Sequence, residues 1–149
     1  MSRAYPKTPL VGVGGIVVNN ERVLLVRRGN EPGRGDWSIP GGMLNLGETL
    51  QECAEREILE ECDIEAHAEE VVGVTDLIQF DDEGAIEYHY VLIDLLAEYI
   101  DGIPKPSSDV FAAEWVPFDE LSSLKMPDRL RALLVEHCQP NKAERERED

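Results

Sequence analysis

The feature that most limits what this chain can fold into is a change of period. Between two groups of strand-like runs lies one segment in which Leu50, Ala54 and Ile58 recur every four residues. That spacing stacks them as one apolar stripe down a helix of roughly four turns. A chain that leaves strands for one amphipathic helix and then returns to strands has to lay that helix on a sheet. Upstream, "LVGVGGIVV" (10–18) and "RVLLVRR" (22–28) read as two strands joined by an Asn-rich turn. The glycines and proline of "GNEPGRGDW" (29–37) read as loop. "SIPGGMLNLGE" continues irregularly, because Pro40, Gly41 and Gly42 exclude a helix.

Glu48 and Thr49 open the helix, since acids suit a helix N-terminus. It stops near Cys62 and Asp63, where Asp serves as a left-handed exit residue. Downstream, "EVVGVTDLIQF" (70–80) and "EYHYVLIDLLAEYI" (87–100) read as strands flanking "DDEGAI". The centre of the second also has helical character, but its β-branched and aromatic start and the turn that ends it favour a strand. "FAAEWVPF" (111–118) is a further strand, and "MPDRLRALLVEHC" forms a C-terminal helix. Met126, Leu130, Leu133, Leu134 and His137 share one side of that helix, so His137 reads as a packing or capping residue. The expectation is an α/β fold in a single domain over residues 1–140, a mixed sheet covered on both faces, with a frayed tail at 141–149. The closely spaced glycines of "VGVGGIVV" precede a strand instead of a helix, so dinucleotide binding of the strand–turn–helix type is excluded.

Charge narrows the function. The net charge is −17, which repels a phosphate backbone and argues against nucleic-acid polymers as partners. No apolar run reaches membrane-spanning length, and "MSRAYPKTPL" has no apolar signal core, so a cytoplasmic protein off the membrane is expected. Cys53, Cys62 and Cys138 form no CxxC or CxxH grouping and read as buried free thiols.

The helix itself is crowded with acids. "AEREILEECDI" (54–64) packs five carboxylates around Arg56 alone. With Glu57 at zero on a helical wheel, Glu61 falls at about +40° and Glu60 at about −60°, an arc of about 100° beside the buried stripe. Like charges four residues apart repel, and the helix end disfavours anions. Two readings stand at this point: a wet acidic face, or hard oxygen ligands gathered for Mg²⁺ or Mn²⁺.

The whole segment "GMLNLGETLQECAEREILEECDI" resembles the signature box of the Nudix hydrolases, G-x5-E-x7-R-E-U-x-E-E-x-G-U, where U is a bulky aliphatic residue. Gly42, Glu48, Arg56, Glu57, Ile58, Glu60, Glu61 and Ile64 match, which is eight of nine specified positions. Asp63 stands where the pattern has its second glycine, a left-handed position that Asp tolerates better than most residues. The likeness extends through "VRRGNEPGRGDWSIPGG" before the box and "AAEWVPFDEL" after it.

The resemblance implies an α/β/α sandwich and Mg²⁺- or Mn²⁺-dependent cleavage of a nucleoside diphosphate linked to another moiety. It implies Glu57, Glu60 and Glu61 as metal ligands, Arg56 as the residue orienting them, and Glu48 as a support. Gly41 and Gly42 have no side chain to keep a ligand away. Either Arg27 or Arg28 is a candidate to meet a phosphate or ribose. The base is open among Glu60, Glu61, Asp82, Glu83 and Asp109. Phe80, Tyr88 and Tyr90 are candidates to stack on a base. ADP-ribose leads as substrate, with (d)NTPs next and a non-catalytic nucleotide-binding domain as the rival class. Homodimerisation is common in this resemblance and is expected through exposed strands.

Overall fold

In the computed structural model residues 3–139 are described; the tail expected at 141–149 lies outside them. Seven strands and two α-helices follow in the order β1 (Leu10–Asn19), β2 (Arg22–Arg28), β3 (Trp37–Ser38), β4 (Gly41–Met43), α1 (Leu50–Cys62), β5 (Glu65–Phe80), β6 (Ile86–Asp101), β7 (Val110–Pro117) and α2 (Asp128–His137), with a 3₁₀ turn at Phe118–Ser123 before α2. The sheet runs β3-β2-β1-β6-β5, with β4 beside β1 and β7 beside β2. The β1–β6 pair is parallel and the other pairs are antiparallel, so the sheet is mixed.

Strand alternation builds two cores from the same strands. Ile16, Val23 and Leu25 pack with Leu130 and Leu134 of α2. Their neighbours Val17, Leu24 and Val26 point the other way, against Ile58 and Cys62 of α1. The helices therefore cover opposite faces, an α/β/α sandwich, because a side-chain period of two makes each strand apolar on both sides. Ile58 is fully buried, and truncating such a residue to alanine costs about 2–5 kcal/mol. The three cysteines are free and buried. No helix among the described residues is long and apolar enough to cross a membrane.

Several boundaries differ from the expectation, and α2 starts at Asp128, so Met126 lies before the helix instead of on it. Gly41–Met43 was expected to be irregular, yet it forms β4 against β1. A Cβ on Gly41 would run into the Val13 carbonyl and the Gly14 Cα, so this close pairing is open to glycine alone. Trp37 closes the 29–37 loop by starting β3. Strand β5 begins at Glu65, ahead of the apolar run, because Ala66 and Ala68 alternate inward under α1. The Glu55 carboxylate accepts the Ala68 N–H at 2.9 Å, tying this alanine- and glutamate-rich start to the helix against its weak strand propensity.

Candidate functional site

Helix α1 is fixed at both ends by its own sequence. Thr49 Oγ1 accepts the Glu52 N–H at 3.1 Å, while the Glu52 carboxylate accepts the Thr49 N–H at 3.3 Å. This reciprocal box satisfies two of the free N–H groups of the first turn. At the other end Asp63 adopts φ 60° and ψ 32° and donates its N–H to Leu59 O, filling the left-handed role expected of it. The loop after β6 then docks on the helix end, with the N–H groups of Lys105 and Ser107 reaching Cys62 O and Glu61 O at 2.9 and 3.1 Å.

With the helix fixed, Arg56 organises the carboxylates. Its Nε and Nη2 donate to the two oxygens of Glu48 at 2.7 and 2.9 Å, and Nη2 also reaches Met43 O at 3.0 Å. Nη1 donates to Glu57 at 2.7 Å and to Glu60 at 3.2 Å. The five N–H groups of a guanidinium thus meet five oxygens. The Arg56 contact holds the Glu48 carboxyl far below the usual carboxylate range, at about 2, and the Asn45 backbone N–H helps against the opposing effect of burial. Arg56 is in turn held more firmly protonated, first by Glu48 and also by Glu57.

The Glu57 carboxylate lies over the Cα of Gly42, where any Cβ would overlap it. Glu61 sits beside it without a matched cation. Burial, followed by the charge of Glu57, lifts Glu61 to about 7; Arg28 and the Gly41 N–H pull the other way, and Asp109 adds to the rise. Two neighbouring carboxylates that oppose each other's ionisation, over a glycine cradle, are hard donors short of positive charge, which is the chemistry a divalent cation fits. Glu60 stands apart. Its side chain is 60% exposed and leans on Arg56, and no three acidic, histidine or cysteine side chains among the described residues close into a ready-made cage.

The other candidates separate by position. Arg28 faces the site, with Nε donating to Pro32 O at 2.7 Å, and it lines a cavity of roughly 270 Å³ beside Gly41 and Gly42. Arg27 points outward, its Nε on Gly35 O and its guanidinium 5.7 Å from the Phe111 ring centre. Asp109 is close enough to influence Glu61. Asp82 and Glu83 occupy the exposed β5–β6 turn, where the Glu83 N–H donates to Asp81. That turn follows Phe80, seven strand residues or roughly 20 Å beyond Gly73, and no hydrogen bond or ion pair among the described residues joins Asp82 or Glu83 to α1. Of the three aromatic candidates only Tyr90 lines the cavity, and Phe80 is exposed near the end of its strand.

The sequence reading missed two charged residues that line that cavity. Among the described residues Asp94 of β6 is the buried charged residue of the core, only 5% exposed. Burial raises its pKa and the charge of Arg129 opposes the rise. Arg129, at the start of α2, lines the cavity with it. The signal was present in "VLIDLL", where an aspartate interrupts an apolar strand.

The profile of the NUDIX domain matches residues 8–136. The chain belongs to the Nudix hydrolase family. An ADP-ribose pyrophosphatase of Methanocaldococcus jannaschii is 32% identical over 116 residues, covering 78% of this chain and 66% of that protein. A MutT-like protein of Streptomyces ambofaciens is 31% identical over 118 residues, covering 78% and 70%. Among solved structures of the Nudix fold, the MutT protein of Methanosarcina mazei Go1 superposes with a TM-score of 0.71 at 23% identity, covering 97% of this chain and 99% of the other.

Proposed function

We propose that the protein hydrolyses the diphosphate linkage of a small nucleoside diphosphate derivative with the help of Mg²⁺ or Mn²⁺, and that ADP-ribose, cleaved to AMP and ribose 5-phosphate, is its substrate. The observation that carries this reading is the Arg56 network. It fixes Glu57 over Gly42, and Gly41 and Gly42 in turn line the cavity that Arg28 and Asp94 also line. The name of the M. jannaschii relative supports the choice of ADP-ribose.

In this reading Glu57, Glu60 and Glu61 would hold the cation, the exposed contact of Glu60 with Arg56 being worth little where it stands. A divalent ion held there would supply positive charge against the diphosphate oxygens and would lower the pKa of a water. Arg56 and Glu48 keep the ligating oxygens from drifting. Arg28 offers charged hydrogen bonds to a phosphate at the cavity mouth, and Gly41 and Gly42 let the diphosphate approach the backbone. The proton released by the attacking water passes to a carboxylate of this group, which contains Glu60, Glu61 and Asp109 and leaves out Asp82 and Glu83. The bond between phosphorus and the bridging oxygen breaks, and that oxygen leaves with the second phosphate. One domain over residues 1–140 carries these parts. Strand β5, at the edge of the sheet with Val74 and Phe80 exposed, is the face on which two copies pair; light scattering tests this, and a monomer at working concentration would reject it.

The deciding experiment separates products by chromatography after incubation with ADP-ribose or with each dNTP. AMP and ribose 5-phosphate support the proposal. A dNMP and pyrophosphate from a dNTP alone would keep the site and move the substrate, and nucleotide binding without cleavage would reject catalysis.

A further inference from the structure

Across four strands one row of the sheet reads Gly41, Gly14, Asp94, Gly73: Gly14 pairs with Gly41 on one side and with Asp94 on the other, and Asp94 pairs with Gly73. The central carboxylate thus stands between two glycines, with no side chain beside it on either neighbouring strand. A Cβ on Gly14 would come within 3.0 Å of one Asp94 oxygen, and a Cβ on Gly73 within 3.5 Å of the other. Oδ2 of Asp94 is buried and has no hydrogen-bond partner. Its nearest basic group is Arg129 Nη1, at 3.7 Å, too long for a hydrogen bond. Leaving such an acceptor without a hydrogen bond is costly, and the ion pair with Arg129 offsets only part of that cost.

The cavity gives the buried acid a purpose. Gly41, Gly42 and Arg28 line it, and so do Asp94 and Arg129, with Leu77 and Tyr90 among its apolar lining. A diphosphate at the Arg28 end would be repelled by Asp94, so the part of the ligand that reaches Asp94 is neutral and carries a donor. We propose that Asp94 reads the nucleobase: its carboxylate accepts a hydrogen bond from the exocyclic amino group of an adenine seated against the apolar residues Leu77 and Tyr90. Arg129, beside it, donates to a ring nitrogen next to that amino group. A donor and an acceptor side by side recognise the amino edge of adenine and reject a purine that lacks the amino group. The inference rests on the nucleotide reading above and adds to it the residues that choose the base.

The test compares AMP with purine riboside 5′-monophosphate, which differs only in having hydrogen in place of the amino group. Binding of each is measured by calorimetry to the wild-type protein and to Asp94→Ala, with thermal melting to verify that the variant is folded. The wild type is expected to favour AMP by about 10-fold or more, the worth of a hydrogen bond to a charged group, and the variant is expected to bind both alike. Equal affinities in the wild type overturn the inference without needing the variant, and so does a preference that survives in folded Asp94→Ala. If the wild type cleaves ADP-ribose yet shows no such preference, base reading by Asp94 fails alone. If it neither binds nor cleaves any nucleotide, the functional reading fails with it.

Discussion

The two oxygens of Glu48 and the Nε and Nη2 of Arg56 form a two-point clamp, at 2.7 and 2.9 Å, between the loop before α1 and the second turn of the helix. Lysine has the charge to replace Arg56 but not the planar fork. Arg56→Lys is expected to release Glu48 and to leave Glu57 free to wander, lowering the rate by about 100-fold, since an error of about 1 Å in a catalytic group has that cost. Steady-state kinetics on ADP-ribose measures this, and a rate equal to the wild type would show that the clamp has no catalytic role.

The same clamp sets an acid limit. Glu48 is held at about 2 against its ordinary 4.5. A carboxyl whose pKa is lowered by folding adds stability above its unfolded value, and that stability is lost as the pH falls through the folded value. The window is therefore from about 4.5 down to about 2. Urea midpoints taken across it are expected to fall more steeply for the wild type than for Glu48→Gln. Parallel curves would contradict the assignment.

Gly42 is a position where one methyl group decides the outcome. Its Cβ would occupy the space of the Glu57 carboxylate, so Gly42→Ala displaces that carboxylate while leaving the sheet pairing intact. The expected result is a loss of activity of about 100-fold or more with a folded protein by circular dichroism. Full activity would place Glu57 outside the chemistry.

Asp63 tolerates its left-handed backbone at some cost, because its Cβ crowds the following carbonyl. Asp63→Gly removes that crowding and is expected to stabilise the fold by about 0.5–1 kcal/mol. Denaturant unfolding reads the change directly, and a loss of stability would mean that the aspartate makes a compensating contact.

Most of this architecture was legible because its signals are local. The stripe of Leu50, Ala54 and Ile58 fixed α1 in the reading, and glycine's absence at position 63 correctly pointed to a left-handed aspartate. The strand assigned to "EYHYVLIDLLAEYI" also stands, as β6. What escaped depends on contacts between distant segments. β4 exists because Gly41 meets Gly14 across the sheet, and β5 starts early because Glu55 captures the Ala68 N–H. The choice between Arg27 and Arg28 turned on which side of β2 faces the helix end. Asp94 was passed over because its meaning comes from the glycines on two neighbouring strands, 80 residues and 21 residues away in sequence. A one-dimensional reading sees only an aspartate among leucines.

The central claim is that Glu57, fixed by Arg56 over Gly42, holds the divalent cation that cleavage requires. The most direct measurement is the rate of AMP release from ADP-ribose as Mg²⁺ is titrated, for the wild type and for Glu57→Gln side by side. The account predicts turnover that rises with Mg²⁺ in the wild type and falls by about 1,000-fold in the variant, as loss of several kcal/mol of charge stabilisation requires. Turnover of the same size in both proteins, with or without the metal, would contradict it.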